Sequence, residues 1–429
     1  MFRKVLLSAL AALVCCGVWS AAADVDFDQG RADVKEFLQL PDKPAIDAQA
    51  LSSDKGWWWW STKKEWTVMV YINGKNNLET YGLGDVNEME KVGSNDKMNV
   101  VVELGRIDGS GGPDADWKGI RRYLVQKDDD PNKITSPVVQ QFTADMGSSQ
   151  HLYDFAKWAM EKYPAKHYMV IVWNHGSGWA KEQGFKAWTK GISYDDETGN
   201  HITTQQLGAT LAQLGHIDVY ASDACLMQMA SVGYEMKDTV DVIVGSEETE
   251  PGDGYDYTGF LQRLAARPAA GAEDVGRFVV ESYRDFYAKK NQATTQSALR
   301  ARAFPGLVSI LNQWVTLALD PAEAANVKAA KSDAVHFADW DSRDLHHLVR
   351  LITEKTANPA LKQKGGELLS YIETSLVVAN GLSGDKFKDA RGLAIYTPSY
   401  GYNNDYDKLK WARDTKWPAF IKSAPQSLN

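Results

Sequence analysis

Ser222-Asp223-Ala224-Cys225 closes one apolar run, and Asn174-His175-Gly176-Ser177-Gly178 closes another about fifty residues earlier. A thiol attacks a carbonyl as thiolate, and an imidazole can take its proton or hand one to a leaving amine. Glycines beside the histidine let backbone approach a bound group closely. Asp223 adds a carboxylate two residues before the sulfur. The combination points to acyl transfer through a covalent thioester. Each residue also has a plainer reading. A lone cysteine is often a small buried apolar side chain, a strand-end histidine can be inert, and an aspartate there can simply bond to nearby backbone.

The compartment decides what one thiol means. Arg3 and Lys4 precede an apolar stretch over residues 5–19, and Ala21-Ala22-Ala23 supplies the small residues a signal peptidase needs. Residues 1–23 therefore read as a removable secretory signal, with a periplasmic or extracellular destination. Cys15 and Cys16 leave with it, so Cys225 is the one cysteine of three to remain. In an oxidising compartment an odd cysteine is a buried inert residue, an intermolecular bridge or a reactive thiol. Loss of Arg3 and Lys4 takes the formal charge from −9 to −11. Such a chain has no basic footprint for nucleic acid and suits a cationic substrate. No later run approaches the roughly 20 apolar residues of a membrane span, and a monomer is expected.

The elements that must position these residues alternate. Residues 24–65 are polar, carry Pro41 and Pro44, and end in Trp57-Trp58-Trp59-Trp60. They read as a linker or pro-segment whose tryptophans form a flap packed on the body. "WTVMVYI" (66–72), "MNVVVEL" (98–104), "HYMVIVWNHGSGW" (167–179) and "IDVYASDACLM" (217–227) are strands of the kind buried on both faces of a parallel sheet. Helices are expected over 76–92, over 148–163 behind a serine N-cap, and over 203–215. That rhythm predicts an α/β/α sandwich with a mostly parallel central sheet. Chemistry in such sheets sits where loops leave the carboxyl ends of strands, and His175 and Cys225 both fall there. A helix starting at Leu226 would aim backbone N–H groups at the thiolate. Residues 66–262 make the catalytic domain. Residues 263–429 make a more helical subdomain that returns one strand, "RGLAIYTPS" (391–399), to the sheet.

Five segments, "WTVMVYINGKNNLE", "VWNHGSGW", "SDACLMQMASVGYE", "GSEETEPGDGYDY" and "GLAIYTPS", together resemble the clostripain family of cysteine peptidases, whose fold is caspase-like. The resemblance runs from about Trp66 to Ile421. It implies Cys225 as nucleophile, His175 as general acid, and the N–H groups of Gly176 and Cys225 as the oxyanion hole. It also implies cleavage of peptides or proteins after Arg or Lys, which requires an acidic pocket. Asp223, placed by period-2 alternation on the face of Cys225, is the first choice for that carboxylate, and Asp253 is the second, by resemblance. The rest of "SEETEPGDGYD" reads as a solvated acidic loop, with calcium ligation by Glu247, Glu248, Glu250 or Asp256 the lesser reading. No cofactor is required. Some relatives cut themselves between the histidine and cysteine strands. In this chain Lys181, Lys186 and Lys190 lie there, and Lys186 or Lys190 is the expected position.

Three rivals remain at this level. A zinc hydrolase would need a recognisable ligand set, and none of the eight histidines forms HExxH, His346 and His347 being adjacent. A non-catalytic module could keep the shell alone, but it would have no need of thiol, imidazole and acid together. A transpeptidase or ligase would use the same dyad, with an amine replacing water.

Overall fold

The computed structural model describes residues 63–107, 114, 117–179, 191–399 and 401–423. The expected signal peptide, most of the linker with its four tryptophans, and Lys181, Lys186 and Lys190 lie outside the described residues.

Four buried runs form as expected. β1 (Lys64–Gly74), β2 (Met98–Arg106), β5 (Ala165–Trp173) and β8 (Ile217–Asp223) are joined in chain order by β3 (Gly119–Leu124), β4 (Val138–Phe142), β6 (Ile192–Asp195) and β7 (Asn200–Ile202). β9 (Val240–Gly245), β10 (Thr294–Arg300), β11 (Ser342–Asp344), β12 (Val377–Ser383) and β13 (Ala394–Tyr396) complete the strands. The main sheet has nine strands in the order β12-β10-β9-β8-β5-β1-β2-β3-β4. Its centre, β9 to β2, is parallel throughout. β10 and β3 run against it, and β12 and β4 reverse again. Seven strands therefore share one direction.

Both faces of β1 are covered, which explains its unbroken apolar run. Val68, Val70 and Ile72 enter one apolar cluster, with Leu83, Val86 and Met89 of α1 (Glu79–Glu90). Met69 and Tyr71 enter the other, with Leu152, Phe155, Ala156 and Ala159 of α2 (Ser149–Lys162). Ser148 caps α2 by accepting from His151 N, and Thr203 with Gln206 forms a capping box on α3 (Thr204–Leu214). These helices are the layers of the expected sandwich.

One expectation needs correction. "LAIYTPS" does not join the main sheet, because β13 pairs with β11 in a small separate sheet and touches the main chain after β8 through a single bridge at Met229. The C-terminal part gives the main sheet β10 and β12 instead. The described residues from 63 to 423 belong to one compact unit, and one apolar cluster runs from Met69 to Ile421. Described residues on either side of position 262 share this apolar packing. Alternation patterns locate strands but not their partners, and β10 carries Thr, Gln and Ser that hide its sheet membership.

Candidate active site

β5 and β8 are parallel neighbours whose last paired residues are Trp173 and Asp223. Both chains leave the sheet at one level, so His175 and Cys225, each two residues further on, stand at the same rim. Asn174 N donates to Asp223 O at 3.2 Å and extends the ladder one step. Gly176 is forced by contact, since a Cβ there would lie 2.4 Å from the carbonyl oxygen of Cys225. On its other side Gly176 faces Ile192 across an antiparallel bridge. The flanking bonds, Ser177 N to Gly191 O at 3.0 Å and Ser193 N to His175 O at 3.3 Å, mark a non-hydrogen-bonded pair. The Gly176 N–H consequently turns away from β6.

The imidazole is held from the end of β1 and the turn that follows it. Asn174 Nδ2 donates to Asn73 O, and Tyr194 N donates to Asn174 Oδ1 at 2.7 Å, fixing the turn that carries His175. His175 Nε2 lies 2.7 Å from Asn77 Oδ1. An accepting amide oxygen assigns the proton to Nε2 and leaves Nδ1 as the basic atom. Burial pushes the His175 pKa down to about 4, so the ring is neutral near pH 7. Asn77 was missed in the sequence, although "NGKNN" follows β1, which lies beside β5 at this rim.

The helix expected at Leu226 does not start there. Leu226 has φ 62°, a left-handed conformation that costs a non-glycine residue about 1–3 kcal/mol and tends to occur at functional turns. Leu226 N donates to Glu248 O at 3.1 Å, Gln228 N to Ser246 O at 2.9 Å, and Ala394 N to Gln228 O at 3.0 Å. These bonds hold the chain in a turn at Cys225-Leu226 and then out of helix until α4 (Ala230–Glu235) begins. The first helical residue after the thiol is Ala230. The half-buried Cys225 Sγ instead accepts the backbone N–H of Glu250 at 3.3 Å.

Acidic groups lie beneath this rim. Strand alternation stops at Asp223, where β8 ends, so it does not carry Asp223 and Cys225 onto a common face. Glu250 is the link, touching sulfur through its backbone and Asp223 through its carboxyl. Asp223, only 4% exposed, also accepts Tyr257 Oη–H at 2.8 Å and Tyr255 N–H at 3.3 Å through Oδ2. Gly254 packs behind it, where a Cβ would lie 2.8 Å from Oδ1. Burial pushes the Asp223 pKa up to about 6. Burial and the neighbouring Asp223 charge hold Glu250 well above the usual carboxylate range. Near neutral pH the pair therefore shares one proton and keeps one negative charge. Asp85, which accepts Trp173 Nε1–H at 2.6 Å, is a third buried acid, raised by burial and by Asp223. Asp253 is exposed and ion-paired with Lys290, one residue before Gly254.

The "SEETEPGDGYD" stretch is not a solvated loop. Glu247 is 1% exposed and Glu248 5%. Glu247 bonds to Asp344 and to Gly392 N, and Glu248 accepts from Thr249 and Ala338 N. Glu250 faces Asp223, and Asp256 caps α5 (Tyr257–Ala266). Separate partners draw these four carboxyls apart, so they make no common calcium cage. His346 and His347 likewise face different groups, Glu373 and Val335 N.

A parallel-centred sheet between two helical layers, with a histidine loop and a cysteine loop side by side at one rim, is a caspase-like sandwich. The profile of the clostripain family matches residues 70–423, and the chain belongs to that family and is a cysteine endopeptidase by class. Clostripain of Hathewaya histolytica is 23% identical over 83% of this chain and 84% of its own. Among solved structures, a secreted C11 cysteine protease from Bacteroides thetaiotaomicron, bound to an irreversible peptide inhibitor, matches with TM-score 0.62 and 20% identity. It covers 82% of this chain and 99% of its own. An inactive zymogen C11 protease from Parabacteroides distasonis matches with TM-score 0.63 and 18% identity, over 82% and 99%.

Proposed function

We propose that this protein is an exported endopeptidase that cleaves after Arg or Lys through Cys225 and His175. The observation that carries this reading is the shared rim of β5 and β8, which brings the Gly176 backbone against Cys225 above a buried acid pair. Export rests on the pattern of residues 1–23, and among the described residues no helix is long and apolar enough to cross a membrane.

In this reading the neutral imidazole first takes the thiol proton as Sγ attacks the scissile carbonyl carbon. The oxygen becomes an oxyanion held by the N–H groups of Gly176 and Cys225. Collapse breaks the C–N bond, and the proton on His175 passes to the leaving amine. A thioester remains on Cys225. Water then gives a proton to His175, attacks the thioester carbonyl, and releases the acid product while the thiol is restored. Asn77 holds the ring so that Nδ1 faces the chemistry. The negative charge shared by Asp223 and Glu250 receives the guanidinium or ammonium of the residue before the scissile bond. Asp253, at the surface beside Gly254, adds a second negative group.

The test is a set of fluorogenic peptides varied only at that residue, with wild type and Cys225→Ala compared. Hydrolysis of Arg and Lys peptides alone, abolished in Cys225→Ala, supports the reading. Equal turnover of Ala or Leu peptides removes the charge argument, and activity surviving in Cys225→Ala removes the nucleophile.

A further inference from the structure

A second cluster of reactive side chains lies at the opposite rim, where β5, β8 and β9 begin. Ile217 pairs with Val240 and Val219 with Val242, so Asp218 and Asp241 stand directly opposite each other on neighbouring parallel strands. Two carboxylates in that relation repel. His216, two residues before Asp218 and on its side of the ladder, reaches both. Its Nε2 is 3.3 Å from Asp241 Oδ2 and 3.9 Å from Asp218 Oδ1. The donor atoms of His216, Asp218 and Asp241 all lie within 4.8 Å of one another.

These ion-pair separations are also those of ligands around a common metal. Bonds of about 2.0–2.1 Å from zinc to nitrogen and oxygen set the edge of a tetrahedron at about 3.4 Å. The two measured edges bracket that value. The third ligand pair closes by side-chain rotation, because His216 is 62% exposed and Asp241 55%. Asp218 is already aimed. Tyr168 N donates to its Oδ2 at 2.8 Å, and His167 Nδ1 lies 2.6 Å from its Oδ1 while stacking on Trp66. Second-shell support of this kind fixes the orientation of a ligating carboxylate. One imidazole and two carboxylates with an exposed fourth position suit a borderline divalent ion, whereas calcium and magnesium prefer oxygen throughout.

We propose that His216, Asp218 and Asp241 bind one zinc ion, which clasps the starts of β8 and β9 and neutralises the opposed carboxylates. At about 3.3 Å per residue along β8 the ion would sit roughly 25 Å from Cys225, so its effect is on stability and not on the chemistry.

The experiment uses the full chain with Cys225→Ala and His175→Ala, which removes the thiol and imidazole of the candidate active site as a competing zinc site. Zinc chloride is titrated by calorimetry, and thermal unfolding is followed with zinc at a hundredfold excess over Kd. One equivalent should bind at micromolar Kd or tighter, and the unfolding midpoint should rise by about 3 °C. Adding His216→Ala or Asp241→Asn should weaken binding at least tenfold and remove the shift. Both side chains are exposed, and near-UV circular dichroism checks that each variant keeps its fold. Cobalt in place of zinc should give the visible absorption of a tetrahedral site, lost in both variants. Binding no tighter than millimolar, or binding that both variants leave unchanged, overturns the proposal.

Discussion

Asp223→Asn should make the protein more stable and less able to cleave after arginine. The carboxyl is buried, and folding raises its pKa from 3.8 to about 6. A raised acid holds its proton more tightly when folded, so its contribution is intact below the unfolded pKa and lost as pH climbs from about 4 to about 6. At 1.36 kcal/mol per unit the loss is about 3 kcal/mol above that window. The asparagine oxygen can still accept from Tyr257 Oη and Tyr255 N, and its amide nitrogen can donate to Glu250 in place of the shared proton. Thermal unfolding on a Cys225→Ala background, which prevents self-digestion, measures the difference. At pH 8 the variant should melt about 4 °C above its parent, and at pH 4 the two should nearly coincide. In the active enzyme the same change removes the charge that a guanidinium meets. kcat/KM for arginine peptides should fall by about 10-fold to 100-fold, the equivalent of one charge-assisted hydrogen bond. A variant that melts lower at pH 8, or that keeps its arginine activity, would refute the reasoning.

Other consequences can be measured with the same reagents. Because Asp223 must be ionised to receive a cation, kcat/KM for arginine peptides should decline below about pH 6 in a steady-state profile, and Asp223→Asn should flatten that limb. Asn77→Ala releases His175 Nε2, so kcat should drop by about 10-fold to 100-fold with KM little changed; a pure KM effect would assign Asn77 to binding. Gly176→Ala drives a methyl against the Cys225 carbonyl. It should lower stability by about 1–3 kcal/mol in denaturant titrations and lower turnover further than stability alone accounts for.

Much of the catalytic half was legible in the chain. Unbroken apolar runs such as 66–72 have no exposed face, so they mark central parallel strands, and α2 and α3 announce themselves by their caps. His175 and Cys225 could be placed at one rim because parallel strands expose their C-terminal ends together. The partners of those residues could not. Asn77 comes from the turn after β1, Glu250 from the loop after β9, and Asp85 from α1, and only the strand order β9-β8-β5-β1 gathers them. Spacing suggested a helix after Cys225, but pairing with residues 246–248 and with β13 took those backbone groups first. The acidic run looked solvated for the same reason. Local sequence carries charge and periodicity, whereas burial belongs to whichever distant segments pack over it. Glu247 and Glu250 were each buried against a carboxyl from another part of the chain. Identity and strand direction were therefore settled locally, and the electrostatics of the site were settled by tertiary contact.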